Sequence, residues 1–281
     1  MFPEPNLPNR TITIKAKPSS GHFALMVDSI FELQTDGGAQ CFPLTLYDRA
    51  DEEEQDDLFS VIEADKPAYR ARHGITDAGL AHIKAAYPGE TITKDDVFYY
   101  VYGLLHSEDY RRRFADNLTK ELPRIPCVKK VEDFRAFVAA GRALGDLHVG
   151  YETVAPYPVT LKQGDLSLAS IDDPVKFFRV EKMAFGKNKD RTTIHYNANI
   201  TLIDVPLAAY DYVVNGKSAI DWVMERQAVK KDPDSGIIND ANDYATETMN
   251  NPRYPFDLLC RVITVSLETV KVVKALPPLE I

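Results

Sequence analysis

The clearest hydrophobic pattern in the chain begins at Thr93, which forms a capping-box variant with Asp96 and so marks a helix start. Apolar and aromatic side chains then recur at the three- and four-residue spacing of a buried helical face: Val97, Tyr100, Val101, Leu104 and Leu105. Ser107 and Glu108 interrupt this face. A second helical run then places four side chains inward: Tyr110, Phe114, Leu118 and Leu122. Residues 93–126 therefore predict a pair of helices that serves as the scaffold of a domain.

Two neighbouring segments carry the same helical periodicity. Residues 76–87 predict a short helix with Thr76 as its N-cap. Residues 131–149 predict a longer helix that keeps six side chains near one face: Phe134, Phe137, Val138, Gly141, Leu144 and His148. Together with the scaffold pair they make the region from 75 to 150 helical.

The last quarter of the chain is also predicted to be helical. Ser218 with Asp221 at the third position caps the segment SAIDWVMERQ. Residues 230–243 read as a polar loop around Asp-Pro-Asp-Ser-Gly. Residues 256–276 predict a long final helix despite its many valines, because its apolar positions form one stripe.

Alternating apolar and polar residues predict strands in the first part of the chain. Residues 10–16 (RTITIKA) and 22–30 (HFALMVDSI) alternate in this way, and residues 40–47 follow after a glycine turn. Pro43 assigns the third strand to an edge, since proline cannot donate to a strand ladder. A small antiparallel sheet is expected here.

A second region of strands lies beyond residue 157. Residues 177–185 and 191–196 alternate and are joined by Gly186–Asp190, which reads as a hairpin tip, and residues 199–205 add a further strand. The predicted class is therefore α+β, with mixed helices and small antiparallel sheets or hairpins around a central helical scaffold. We expect one domain over residues 1–281 with four parts: 10–47 β-rich, 75–150 helical, 157–215 β-rich and 216–281 helical.

Composition places the chain among ordinary globular proteins, with 44% hydrophobic and 27% charged residues. No stretch approaches the ~18 consecutive apolar residues of a membrane span, so no membrane partner is expected. The amino terminus lacks a basic segment followed by an apolar one, so it does not read as a signal peptide. Three widely separated cysteines, Cys41, Cys127 and Cys260, read as reduced thiols. These features predict a cytoplasmic protein.

The formal net charge of -9 argues against a nucleic-acid partner, but the charge is unevenly distributed. Residues 48–57 hold seven acidic residues and one arginine. By contrast, residues 110–130 hold seven Lys/Arg against two acidic residues, and residues 176–191 hold six against two. An acidic loop with separate basic faces is compatible with DNA binding, although solvated surface is the plainer interpretation of each charge run.

The hairpin at 186–199 has the side chains that suit a DNA groove. Lysine and arginine suit phosphates and guanine edges, while asparagine suits adenine. The candidate DNA-binding residues in this region are Lys187, Asn188, Lys189, Arg191, Thr192, Asn197 and Asn199. A second set of the same kind is Lys17, Ser19, Ser20 and Gln40, and Arg112 is a candidate phosphate contact on the helical scaffold. A hairpin that faces only solvent is the alternative.

Sequence signatures of catalysis are missing. The chain has no G-x-x-x-x-G-K-[ST] phosphate loop, no G-x-G-x-x-G turn and no G-x-S-x-G elbow. His106-Ser107-Glu108 matches half of the zinc deaminase signature, but no P-C-x-x-C follows it. His106 and His148 are therefore expected to be packed residues. We expect no catalytic residue and no metal site.

One segment keeps an alternative open. Asn251-Pro252-Arg253-Tyr254 differs by one residue from the N-P-P-Y motif, with which amino-methyltransferases present an amide oxygen and an aromatic ring to a flipped base. Arg253 replaces the second proline and would loosen that turn. A remnant adenine methyltransferase using Asn251 to Tyr254 is thus one alternative, and a structural turn before the last helix is the favoured interpretation. A protein-interaction module with an acidic loop is the other alternative.

Long stretches of the chain resemble the C-terminal specificity region of Type ISP restriction–modification enzymes. The resemblance rests on DDVFYYVYGLLHSEDYRRRFADNLTKELPRIP and DFRAFVAAGRALGDLHVGYE, and on NGKSAIDWVMERQ, DSGIINDAND and RYPFDLLCRVITVSLETVKVVKALPPL. NRTITIKAKPSSGHFALMVDSI and GGAQCFPL near the start fit the same region, so the similarity covers nearly the whole chain in order.

The resemblance implies a target-recognition domain. Enzymes of this family are long polypeptides with a nuclease, an ATP-driven translocase, an N6-adenine methyltransferase and a final specificity domain. It implies a chain that is not an enzyme by itself and binds double-stranded DNA beside a methyltransferase domain of the same or a longer polypeptide. S-adenosylmethionine, ATP and Mg would belong to upstream domains, so no cofactor is expected in this chain.

Overall fold

The computed structural model describes residues 2–4, 7–15, 23–29, 38–49, 69–164 and 171–281. The chain forms two compact units. Unit 1 comprises residues Met1–Val149 and Leu276–Ile281, and unit 2 comprises Gly150–Ala275. Helices and small antiparallel sheets occur in both units, which confirms the predicted α+β class. No helix in the described ranges has the length and apolarity needed to cross a membrane.

Unit 1 begins with a three-stranded antiparallel sheet in the order β2-β1-β3. Its strands are β1 (Thr11–Lys15), β2 (Ala24–Val27) and β3 (Ala39–Pro43). The central strand β1 is almost entirely buried, and Thr13 lies opposite Leu25 and Cys41. Pro43 lies on the edge strand β3, as its missing N–H predicts.

The strand predicted over residues 40–47 is wrong in its extent, because the chain breaks at Leu44. After this residue β4 (Thr45–Arg49) pairs with β5 (Tyr69–His73), a strand that the sequence pattern did not reveal. The break is held by Leu44 N–H donating to Arg10 O at 2.7 Å and by Gly74 N–H donating to Leu44 O at 2.7 Å. A Cβ on Gly74 would lie 2.0 Å from Pro43 O, so only glycine fits this crossing.

The predicted helices of unit 1 are confirmed. They are α1 (Asp77–Ala86), α2 (Lys94–His106) and α5 (Val131–Val149). Thr93 and Asp96 form the expected capping box, with each side chain accepting from the backbone N–H of the other residue. The inward faces of α2 and α5 are aromatic, and the Tyr100 ring lies 4.7 Å from that of Phe134 between centroids.

Two glycines let α2 and α5 cross in backbone contact. A Cβ on Gly103 would lie 2.2 Å from Phe137 O, and a Cβ on Gly141 would lie 1.9 Å from Tyr99 O. These distances are far below van der Waals contact, and the obstructing atoms belong to the backbone of the opposite helix. The crossing therefore depends on the absence of side chains at both positions.

The second half of the predicted scaffold pair is shorter than expected. Two short helices follow α2, namely α3 (Glu108–Arg113), capped by Ser107, and α4 (Ala115–Leu118). Leu122 was expected to face inward, but it is 43% exposed because the helix ends before it. The chain after α4 is instead tied down by tyrosine hydroxyls, since Tyr110 Oη donates to Arg124 O at 2.7 Å.

His106 and His148 are buried residues of this helical core, as expected. The Tyr102 hydroxyl and Nδ1 of His148 share a hydrogen bond of 2.6 Å, and Nδ1 of His106 lies 2.9 Å from Tyr102 O. Burial, with a smaller contribution from the nearby charge of Arg111, lowers the pKa of His148 to about 3.

This buried histidine predicts a pH-dependent stability. The folded chain keeps His148 neutral below its unfolded pKa near 6.5, where the unfolded chain binds a proton. Its contribution to stability is complete above about pH 6.5 and is lost as the pH falls towards 3. Between pH 7 and pH 5, we expect the free energy of unfolding of the wild type, measured in urea, to fall by about 2 kcal/mol more than that of His148→Gln. The same loss in His148→Gln would contradict this; His82→Gln, at an exposed position, is the control.

Unit 2 is built on a four-stranded antiparallel sheet in the order β6-β9-β8-β7. Its short strands are β6 (Thr160–Leu161), β7 (Ala184–Phe185), β8 (Ile194–His195) and β9 (Thr201–Ile203). The strand predicted over residues 177–185 is wrong in its extent: its last two residues form β7, but α6 (Pro174–Phe178) occupies its first part. The missed signal is local, since Asp173 accepts from Lys176 N–H as an N-cap and Pro174 starts the helix.

The rest of unit 2 is mostly helical, as predicted. Its main helices are α7 (Ala219–Arg226) and α9 (Tyr254–Lys274), and Ser218 and Asp221 form the predicted capping box. The sheet packs on these helices through fully buried residues that include Ile194, Leu202, Ile220, Leu259 and Ile263.

The segment at 230–243, predicted as a loop, contains regular structure. It holds the strand pair β12 (Lys230–Lys231) and β13 (Ile238–Asn239), followed by the short helix α8 (Ala241–Asp243). Another short pair, β10 (Val213–Val214) and β11 (Lys217–Ser218), precedes α7.

Candidate nucleic-acid interface

The hairpin between β7 and β8 carries the predicted tip. Residues Lys187–Lys189 form a tight turn that is closed by Asp190 N–H donating to Lys187 O at 3.1 Å. Gly186 N–H closes the loop from the other side by donating to Asp190 O and to Thr193 O, each at 3.0 Å. These main-chain bonds give the tip one defined shape.

The Asp190 carboxylate stabilises the same loop from within. It accepts from the Thr192 hydroxyl at 2.7 Å, from Thr192 N–H at 2.9 Å and from the Thr193 hydroxyl at 2.9 Å. These hydrogen bonds, led by the one from the Thr192 side chain, hold the pKa of Asp190 below its usual value. Asp190 is therefore ionised at neutral pH and acts as the internal cap of the tip.

Two consecutive residues of the tip adopt left-handed backbone conformations. Asn188 has φ of 59° and Lys189 has φ of 61°. Asparagine adopts this region readily, but for lysine it costs roughly 1–2 kcal/mol. Such a conformation persists only where the surroundings over-determine it, and it is concentrated at functional sites. The hydrogen bonds of Gly186 and Asp190 supply that restraint.

The side chains that this turn presents are directed to solvent. Lys187, Asn188 and Lys189 are all exposed, and their side chains have no hydrogen-bond or ion-pair partner in the part of the chain that the structure describes. The loop thus presents two cations and one amide that bond no other side chain or backbone group in the described part of the chain. This arrangement suits an anionic ligand that also offers hydrogen-bonding groups.

The other predicted hairpin residues have internal partners. Arg191 pairs with Asp221, and Thr192 bonds Asp190. The Asn197 amide donates to Phe177 O at 2.8 Å and accepts from two backbone N–H groups, while Asn199 Nδ2 lies 3.3 Å from Phe177 O. These asparagines hold the base of the hairpin against α6. The structure therefore brings three of the seven predicted hairpin residues together as a presented surface.

The remaining predicted residues belong to unit 1. Gln40 is exposed on the edge strand β3, and Arg112 is exposed on α3 with an ion pair to Asp109 three residues earlier. Lys17, Ser19 and Ser20 lie outside the described residues. These positions stay predictions.

Sequence reasoning did not find a cleft beside the hairpin. The cleft measures about 560 Å³, and its lining includes Lys182 and Phe185 near the hairpin, Lys217 and Met224 from the α7 region, and Lys230. Its three lysines come from separate segments, so spacing along the chain could not have grouped them. Lys182 alone lies in the basic stretch noted above.

The Asn251–Tyr254 segment forms the structural turn that was favoured for it. Asn251 Oδ1 accepts from Arg253 N–H at 3.1 Å, and Tyr254 N–H donates to Asn251 O at 2.9 Å. The Tyr254 ring is buried, and its hydroxyl donates to Glu152. Burial, with the hydrogen bond to Glu152 as the smaller cause, raises the pKa of this tyrosine. A ring enclosed in this way is not presented to a base. Among the described residues there is also no cluster of His, Cys, Asp or Glu suited to a metal ion.

Comparison with known proteins identifies the class as a specificity domain of restriction–modification enzymes. The sequence matches the family described as the Type ISP C-terminal specificity domain over residues 1–258, and the chain belongs to this family. This confirms the resemblance found from the residues alone. No curated protein sequence matches the chain.

The solved structures that are similar to the chain include three complexes with DNA. The first is the ATP-dependent Type ISP restriction-modification enzyme LlaBIII bound to DNA, with 31% identity, a TM-score of 0.80 and coverage of 100% of this chain and 16% of that one. The second is a nuclease-deletion mutant of the Type ISP restriction-modification enzyme LlaGI in complex with a DNA substrate mimic. It has 32% identity, a TM-score of 0.74 and coverage of 100% of this chain and 18% of that one.

The third is a DrdV–DNA complex, with 28% identity, a TM-score of 0.73 and coverage of 98% of this chain and 25% of that one. The chain thus spans a quarter or less of the length of these relatives.

Proposed function

We propose that this chain recognises a short sequence in double-stranded DNA as the specificity domain of a restriction–modification enzyme. The observation that carries the proposal is the family match over residues 1–258, joined to structural likeness with enzymes described in complex with DNA. The fixed tip of Lys187, Asn188 and Lys189 supplies residue types for both phosphate and base-edge contacts.

Membership of this family supports a division of labour between domains. The domain positions DNA, while a methyltransferase domain of the same or a longer polypeptide modifies adenine and other domains cut. By itself the domain is non-catalytic and uses no cofactor; S-adenosylmethionine, ATP and Mg serve the other domains. It acts in the cytoplasm, where the DNA of a bacterial cell lies.

Selection from a pool of randomised duplexes tests sequence recognition. The chain is incubated with the pool at about 0.1 M salt, bound duplexes are recovered and amplified over several rounds, and the product is sequenced. We expect one short motif to be enriched, because a specific site binds at least about 10³ times more tightly than random sequence. A final pool with no shared motif would refute sequence recognition by the chain alone. Serum albumin carried through the same rounds is the control for selection bias.

A further inference from the structure

Arg191, two residues beyond the presented tip, faces the interior of unit 2. Its guanidinium carbon lies 4.8 Å from the centroid of the Phe185 ring and 4.4 Å from that of the Tyr210 ring. Its Nη2 donates to both carboxylate oxygens of Asp221. Although 39% of the side chain is exposed, Nη2 is used by Asp221 and Nε is buried.

The partner carboxylate is itself fixed. Asp221 is the third residue of the capping box of α7, and it accepts from the Ser218 hydroxyl at 2.6 Å and from Ser218 N–H at 3.3 Å. The backbone of Arg191 is held as well, since the Tyr210 hydroxyl donates to Arg191 O at 2.7 Å. Main chain and guanidinium are therefore both anchored to elements outside the hairpin.

This anchorage bears directly on the shape of the tip. The tip contains the left-handed pair Asn188 and Lys189, which an unrestrained loop would not keep. Its closing bonds run from Gly186 N–H to the oxygens of Asp190, one residue before Arg191, and Thr193, two residues after it. If Arg191 moves, both acceptors move with it.

We propose that Arg191 is a positioning residue for sequence discrimination. Resting on the proposed function, the inference assigns DNA contact to Lys187, Asn188 and Lys189, and assigns to Arg191 the task of holding them in one geometry. The planar guanidinium is needed because it stacks on two rings while its edge pairs with a carboxylate, which an ammonium group cannot do. A cation that touched only a phosphate could be replaced by lysine with little loss of discrimination, because phosphate contacts carry no sequence information.

Four variants separate the two roles: Arg191→Lys, Arg191→Ala, Asp221→Asn and the double variant Arg191→Ala/Asp221→Asn. Discrimination is the ratio of affinities for the selected duplex and a scrambled duplex at one salt concentration. We expect each variant to lose about tenfold in discrimination. The double variant should lose no more discrimination than Arg191→Ala or Asp221→Asn alone, since each single substitution already removes the same Arg191–Asp221 interaction. Lys271→Ala, which removes an exposed cation that pairs with Glu268 on α9, should keep the ratio.

The salt dependence of binding distinguishes positioning from contact. Loss of a phosphate contact reduces the slope of log affinity against log salt by about one. We expect the slope to be unchanged in Arg191→Ala. A slope reduced by about one in Arg191→Ala, or wild-type discrimination in Arg191→Lys, would overturn the inference. Tighter binding of scrambled DNA by Asp221→Asn would also overturn it, because it would mean that the released arginine reaches the DNA backbone.

A second readout does not require DNA. Amide hydrogen exchange at Gly186 reports the two closing bonds of the tip, and we expect it to accelerate at least about tenfold in Arg191→Lys and Asp221→Asn with the exchange of α9 unchanged. Unchanged protection of Gly186 would overturn the positioning role even if DNA binding were lost. Absence of discrimination in the wild-type chain would instead refute the proposed function, so the two failures are distinguishable.

Discussion

Replacing Gly141 with alanine is expected to destabilise unit 1 by about 3 kcal/mol, although the same change in an exposed helix would stabilise by about 1 kcal/mol. The reversal of sign comes from the crossing of α2 and α5. A Cβ at Gly141 would lie 1.9 Å from Tyr99 O, an atom of the opposite backbone that cannot rotate away. The two helices would have to separate, which would open the aromatic contacts between them. A loss of this size is a large fraction of the stability of a typical domain.

Urea unfolding followed by circular dichroism measures this effect, with Gly145→Ala as the matched control in the same helix. A Cβ at Gly145 would meet Met26 Sδ at 2.8 Å, and a flexible thioether can move aside. We expect the control to cost less than about 1 kcal/mol. Equal stability of Gly141→Ala and the wild type would show that the helices do not cross in backbone contact.

Charge reversal at the hairpin tip is expected to have the largest effect on function. In Lys187→Glu/Lys189→Glu the fold should be unchanged, because both side chains are exposed and have no partner in the described part of unit 2. Duplex affinity should fall by about 100-fold or more at about 0.1 M salt, since two attractive phosphate contacts become repulsive. The left-handed turn fixes the backbone positions from which both side chains extend.

A matched control reverses the charge of two lysines elsewhere in unit 2. Lys176 pairs with Asp173 and Lys271 pairs with Glu268, and both lysines are exposed on helices outside the tip. Lys176→Glu/Lys271→Glu changes the net charge by the same amount. We expect it to retain more than about a third of the wild-type affinity. An equal loss in both double variants would mean that binding responds to net charge and not to the tip.

The helices of this chain could be predicted from sequence because their signals are local. Thr93 with Asp96 and Ser218 with Asp221 form the expected capping boxes, since each pair lies within one helical turn. Strand pairing was less accessible. The partner of β4 is β5, which follows after 19 intervening residues, and the residue pattern at 69–73 does not predict a strand. The sequence also did not show why residue 141 must be glycine, because the close crossing of α2 and α5 depends on a second glycine, Gly103, 38 positions away.

The candidate site shows the same limit at the level of side chains. Lys189 and Arg191 are cations two residues apart and looked equivalent in the sequence. Only the fold shows that Phe185, Tyr210 and Asp221 converge on Arg191, whereas Lys189 is directed to solvent. Asn197 also matched the residue types of a groove reader, yet its amide is used within the fold. Residue type made this hairpin a candidate, and tertiary contacts decide which of its members are available.

The most direct test of the account is the affinity of the chain for its selected duplex, measured by fluorescence anisotropy from about 0.05 to 0.3 M salt. We expect log affinity to fall linearly with log salt for the wild type, as counterion release requires, and the slope of Lys187→Gln/Lys189→Gln to be shallower by about two. Duplex binding that does not respond to salt, or identical slopes for the two proteins, would contradict DNA recognition by this hairpin.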